Sequence, residues 1–150
     1  MDEDRQSCRR RAMDLLARRE HSRVELEQKL KAKGFAPDAI PEVLDALESE
    51  GLLSSERFAE SFVASRYARG QGPVRIRREL AERGVPEPGR WLDDGRFDWD
   101  ELASETRRRR FGDALPADFR EKAKQARFLE YRGFSQAQIR RALEFGGDSD

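Results

Sequence analysis

Apolar positions along the chain recur with the spacing of one helix face. Ile40, Val43, Leu44 and Leu47 fall at i, i+3, i+4 and i+7, which predicts an amphipathic helix over 38–50. Trp99, Leu102, Ala103 and Thr106 repeat that spacing in a second segment. Ser22-Arg23-Val24-Glu25 reads as a capping box ahead of Leu26 and Leu30, and Gly34 then stops the helix. Gly72-Pro73 opens a helix with proline at its favoured first position, carrying Ile76 and Leu80 to a stop at Gly84. Ser135-Gln136-Ala137-Gln138 forms another box before Ile139 and Leu143. No segment alternates with period two, so the predicted fold class is all-α.

The helix stops are periodic. Leu30-Lys31-Ala32-Lys33-Gly34-Phe35, Leu80-Ala81-Glu82-Arg83-Gly84-Val85 and Leu129-Glu130-Tyr131-Arg132-Gly133-Phe134 share the pattern Leu-x-x-basic-Gly-apolar, with glycines 50 and 49 residues apart. Three helices of about 10–14 residues with short loops fill that period. The expected organisation is therefore three tandem three-helix repeats, 1–53, 54–95 and 96–150, in an elongated, curved array with a short C-terminal tail. Pro86, Pro88 and Gly89 make the third helix of the second repeat short or irregular, anchored by Trp91 and Leu92.

Composition supports a thin core: 37% of the 150 residues are apolar and 40% are charged, thirty basic against thirty acidic. The charge is sorted. Residues 5–33 hold ten basic and four acidic side chains, and 35–56 hold six acidic and no basic ones. Residues 57–86 are basic again, 87–105 acidic, and 107–127 carry eight basic against three acidic groups. Such blocks form patches of either sign, or pair with one another inside the molecule. One cysteine, Cys8, and one histidine, His21, exclude a disulfide framework and a structural zinc site, which takes about four ligands, and point to an intracellular chain. No apolar run is long enough for a membrane span or a signal segment.

Catalysis finds little support. Asp and Glu lie mostly on polar helix faces, where carboxylates are solvated rather than held in a cleft with separated pKa values. His21 precedes the cap residue Ser22 without a nucleophile nearby in sequence, and Cys8 shares an apolar face with Ala12, Leu15 and Leu16. The phosphate-cradling GxxxxGK[ST] and GxGxxG patterns are absent, and Gly70-Gln71-Gly72-Pro73 reads as a turn between helices. No catalytic residue, metal ligand or cofactor is expected.

Binding through basic helices is the live reading. With Ile76 and Leu80 inward, Arg75 and Arg78 point outward with Glu82, and Arg77 lies on a flank. Arg69 and the run Arg107, Arg108, Arg109 and Arg110 complete the candidate contact residues for a protein or DNA partner. Arg66 stands apart, because Phe58, Ala59, Phe62 and Val63 centre an apolar face close to it; a buried guanidinium there needs a carboxylate, for which Asp45 and Glu48 are the candidates.

The run Gly51-Leu52-Leu53-Ser54-Ser55-Glu56-Arg57-Phe58-Ala59-Glu60-Ser61-Phe62 is followed by Ser65-Arg66-Tyr67-Ala68-Arg69-Gly70-Gln71-Gly72-Pro73 and Ile76-Arg77-Arg78-Glu79-Leu80. Together these closely resemble the central signature of the bacterial RecX regulatory proteins. The likeness extends to Arg23-Val24-Glu25-Leu26, Lys29-Leu30 and Lys33-Gly34-Phe35 upstream, and to Phe128-Leu129, Arg132-Gly133-Phe134 and Ile139 downstream. The resemblance implies a cytoplasmic, non-enzymatic chain of three-helix repeats that binds the RecA recombinase filament on DNA and modulates it, mostly by inhibition. The expected partners are that filament and DNA within it, with no membrane and a monomeric chain. Two other classes remain: a direct DNA-binding protein reading the groove with its basic helices, and a charge-sorted scaffold unrelated to DNA.

Overall fold

The computed structural model describes residues 2–93 and 95–145. Among the described residues it is all helical: α1 (Asp2–Arg18), α2 (Arg23–Ala32), α3 (Ala39–Ser49), α4 (Ser55–Ala68), α5 (Pro73–Glu82), a 3-10 turn (Pro88–Trp91), α6 (Trp99–Phe111), α7 (Phe119–Arg132) and α8 (Gln136–Phe145). The tail expected after α8 lies outside the described residues. Gly34, Gly84 and Gly133 take φ of +93°, +80° and +101°, so the repeated motif marks the same left-handed helix stop three times.

The chain forms two compact units, Met1–Phe62 with Leu80–Pro86, and Val63–Glu79 with Glu87–Asp150. Residues of α4 and α5 are divided between them. The 3-10 turn is four residues long and buries Gly89, with Leu92 buried just beyond it.

In the first unit, Cys8, Ala12 and Leu15 of α1 meet Leu26 and Leu30 of α2 and the stripe Ile40, Val43, Leu44 and Leu47 of α3, with Leu53 closing the core. Each large aliphatic side chain so buried contributes about 1.5–3 kcal/mol. Burial, and secondarily the charge of Asp4, push the Cys8 thiol up, so it serves as a small apolar side chain. The Ser22 box is complete: Ser22 Oγ accepts from Glu25 N–H and Glu25 Oε1 accepts from Ser22 N–H, both at 3.1 Å. His21, 1% exposed, bonds through Nδ1 to the Arg19 carbonyl at 3.1 Å, and its Nε2 faces Lys29 Nζ at 2.9 Å. Burial, reinforced by the Arg19 and Lys29 charges, holds the imidazole below its ordinary pKa.

The second unit packs Leu102 and Ala103 of α6, Leu129 of α7, Phe134, and Ile139, Ala142 and Leu143 of α8. Tyr67, Phe97 and Trp99 form an aromatic cluster with ring centroids 4.9–5.3 Å apart, and Trp99 Nε1 donates to the Leu92 carbonyl at 3.0 Å. Asp98 and Asp118 cap α6 and α7, and Ser135 with Gln138 makes the box that opens α8. A backbone clasp joins the start of α5 to the end of α7. Gly72 N–H donates to the Arg132 carbonyl at 2.8 Å and Val74 N–H to the Gly133 carbonyl at 2.9 Å. A Cβ on Gly72 would stand 2.5 Å from the Gly133 carbonyl group, so the clasp closes only over glycine.

Candidate functional site

The clasp decides what the arginines of α5 can do. Because the turn after α7 covers the first turn of α5, a Cβ on Gly133 would collide with Arg75 Cβ. Arg75 is therefore turned less toward solvent than the helix face predicts. It is half-buried, its Nε donates to Glu79 Oε2 at 3.1 Å, and its guanidinium lies 5.7 Å from the centre of the Tyr131 ring. Arg77 and Arg78 are exposed, and the Arg77 guanidinium lies so close to Gly89 that a Cβ there would be 3.1 Å from its Nη2.

Arg66 also needs correction. Its carboxylate is Glu79, with Arg66 Nε 3.4 Å from Glu79 Oε1, whereas Asp45 and Glu48 each take Arg23 at 2.8 Å. The short turn 69–72 folds α5 back along the last turns of α4, which brings Glu79 to Arg66; Arg23 starts α2 beside the acidic face of α3. Glu79 also accepts from Gln71 Nε2 at 2.8 Å. Burial pushes its carboxyl up, but the bonds from Gln71 and Arg75 and the charges of Arg66 and Arg75 outweigh that and hold it below the ordinary carboxylate range.

The four-arginine run divides by direction. Arg107 is fully buried, so the structure removes it from the contact residues. It continues the inward stripe of α6 one turn beyond Ala103, where its Nη1 donates to the Ala114 carbonyl at 3.1 Å and Gln125 Oε1 at 3.3 Å, and its Nη2 to the Asp113 carbonyl at 3.2 Å. Burial, with the Arg108 charge behind it, pulls this guanidinium below its ordinary pKa, and Asp113 works the other way. Arg108 pairs with Glu101 at 3.2 Å. Arg109 and Arg110 are exposed and line a cleft.

That cleft, of about 230 Å³, is open to solvent and lined by Arg69, Gly70, Thr106, Arg109, Arg110, Phe128 and Arg132. No acidic side chain lines it. Arg110 is held over an edge-to-face pair of rings, 5.8 Å from the centre of Phe111 and 5.5 Å from that of Phe128. Arg132 is fixed by the end of α4: its Nε donates to the Gly70 carbonyl at 3.3 Å and its Nη2 to the Arg69 carbonyl, two of the fork's roughly five N–H donors. Gly70, at φ +77°, keeps the floor open, since a Cβ there would sit 3.0 Å from Thr106 Oγ1 and 3.3 Å from Arg132 Nη2. Arg109 has one neighbouring carboxylate, Glu105 at 3.6 Å on the solvent side of α6. Among the described residues no carboxylate stands within ion-pair distance of Arg69, Arg110 or Arg132. Sequence reasoning chose Arg69, Arg109 and Arg110 but passed over Arg132. The available signal was its place as the basic residue of the repeated motif, where Lys33 and Arg83 are its counterparts.

The arrangement is a positively charged concave surface suited to an anion. Among the described residues no group of His, Cys, Asp and Glu could hold a metal ion, and no helix is long and apolar enough to cross a membrane.

An all-α chain of three-helix units with an arginine cleft is thus the class of protein defined by the fold and site. The chain belongs to the RecX family: family models for the first, second and third RecX three-helix domains match residues 8–47, 56–88 and 98–143. It is 50% identical over 146 residues to the regulatory protein RecX of Pseudomonas savastanoi pv. phaseolicola, covering 96% of this chain and 94% of that one. It is 49% identical over 147 residues to the regulatory protein RecX of Halorhodospira halophila, covering 97% and 91%. The crystal structure of RecX from Lactobacillus salivarius shares the fold with a TM-score of 0.73 at 22% identity, covering 96% of this chain and 97% of that one. A second crystal structure, of a regulatory protein RecX, gives 0.76 at 22% identity over 93% of this chain and 71% of the other.

Proposed function

We propose that this chain is a non-enzymatic, cytoplasmic regulator that binds the filament of the RecA recombinase on DNA and restrains its ATPase, strand-exchange and coprotease activities. The observation that carries this reading is the match of all three helical domains, at about half identity nearly end to end, to proteins named for regulation. The monomeric chain lies in the filament groove and contacts neighbouring recombinase subunits through exposed arginines, among them Arg77, Arg78 and Arg109. Bridging adjacent subunits obstructs the ATP-driven rearrangement and growth of the filament, so inhibition is mechanical. Titrating the chain into recombinase assembled on single-stranded DNA tests this: ATP hydrolysis should fall, and the chain should bind the nucleoprotein filament more tightly than naked DNA. Unchanged hydrolysis at saturating chain overturns the reading.

A further inference from the structure

The cleft in the second unit has a chemistry that filament docking alone does not specify. Four guanidiniums surround about 230 Å³, three of them without an ion-pair partner among the described residues, and no carboxylate is among its lining residues. Two of the four are held in position by the protein, Arg110 on aromatic rings and Arg132 on backbone carbonyls, so binding an anion costs little ordering there. Clustered guanidinium forks match the tetrahedral oxygens of phosphate, which accept several forks at once, whereas a single carboxylate is filled by one bidentate arginine. Phe128 in the wall backs Arg110 with an apolar ring and holds its guanidinium toward the cleft. A duplex keeps its bases stacked inside and its phosphates on a wide rod, so it reaches only the rim of a concave cleft; a single strand can enter.

We propose that the cleft formed by Arg69, Arg109, Arg110 and Arg132, with Thr106 and Phe128, is a phosphate-binding site that takes the phosphodiester backbone of a single-stranded nucleic acid. Arg69 and Arg109 close on the phosphates from the rim, and Arg110 and Arg132 form the fixed wall. This goes beyond the filament reading and does not depend on it.

The test uses the full chain and a fluorescein-labelled single-stranded oligodeoxynucleotide of about 20 nucleotides, with anisotropy read at salt from about 50 to 200 mM. Arg69→Gln with Arg109→Gln removes the two rim charges and leaves the Arg69 carbonyl for Arg132. Arg120→Gln with Arg140→Gln removes equal charge from exposed sites outside the cleft on α7 and α8. Helical circular dichroism and the melting temperature verify folding of every variant. The rim variant should bind roughly 10-fold more weakly than the parent at the lowest salt, with a salt slope shallower by about 1.4, since each single-strand phosphate contact contributes ~0.7. The control variant should lose less than the rim variant in both respects. The proposal is overturned if the rim variant binds like the parent, if the control loses as much, or if the parent does not bind the strand. It is equally overturned if a duplex of the same length binds the cleft more tightly, or if poly-glutamate of matched charge displaces the strand. No recombinase is present, so failure here leaves the regulator reading standing, and an inert chain in the ATPase assay leaves this one standing.

Discussion

The two units treat the same residue type in opposite ways. In the first, the basic residues of 5–33 meet the acidic block 35–56: Arg5 pairs with Glu42 and Arg9 with Glu50 at 2.6 Å, Arg23 with Asp45 and Glu48, and beyond those blocks Arg57 with Glu20. Much of the charge sorting seen along that stretch of chain is cancelled within the unit. In the second, arginines are divided among a buried structural role, ion pairs with Glu79 and Glu101, and a cleft that no carboxylate lines. Similar blocks of positive charge therefore mean different things, and spatial matching decides which one recruits a ligand.

The sharpest way to break this contrast is at Arg107, the one arginine of its run that serves the core. Arg107→Ala leaves the carbonyls of Asp113 and Ala114 and the Gln125 amide without their donor and opens a cavity, so chemical denaturation should show a loss of about 3–5 kcal/mol. If Arg107 were instead a surface contact, the loss would stay within about 0.5 kcal/mol. Gly72→Ala comes next. The added methyl has no room against the Gly133 carbonyl, and overpacking of this kind costs about 1–3 kcal/mol. The same substitution should loosen the cleft, because the clasp and the Arg132 wall share the end of α7; thermal melting together with strand binding checks both.

A smaller effect is expected at Glu79, whose partners include Arg66, Arg75 and Gln71 of the same unit. Glu79→Gln should lower stability at neutral pH by about 1 kcal/mol, since the ionised acceptor is what its neighbours hold. Its carboxyl pKa is depressed on folding, so this stability is complete above the ordinary carboxylate value, near about 4.3, and is lost as the pH falls through the folded value. The melting curves of parent and variant should therefore converge in acid. His21 acts earlier on the same descent. Its lowered pKa means that the unfolded chain takes up a proton first, so stability begins to fall below about pH 6.5, and His21→Gln should remove that part of the slope.

Much of the fold was legible because its signals are local. Helical spacing, serine boxes and repeated glycine stops concern residues within one or two turns, and each appears where the pattern put it. The chemistry was only half legible. Four consecutive arginines on a helix point in four directions about 100° apart, so one count cannot tell which is buried. The inward stripe through Ala103 did predict it, had it been carried one turn further to Arg107. Arg66 needed the turn 69–72 to be folded before its partner could be chosen, and Arg75 needed the Gly72–Gly133 clasp, which joins segments 61 residues apart in sequence.

The smallest effect tests the first unit. Arg23 faces both Asp45 and Glu48, yet its side chain is 34% exposed and theirs are 70% and 40%, so water screens the pairs. Arg23→Gln should cost no more than about 0.5 kcal/mol, because exposed ion pairs exchange one well-solvated arrangement for another. The substitution also removes a positive charge whose field its two acidic neighbours already offset, so the anisotropy of the labelled strand should be that of the parent at each salt concentration. A weaker affinity in Arg23→Gln, comparable to that of the rim variant, would mean that the first unit also presents usable positive charge, and the contrast between the two units would fail.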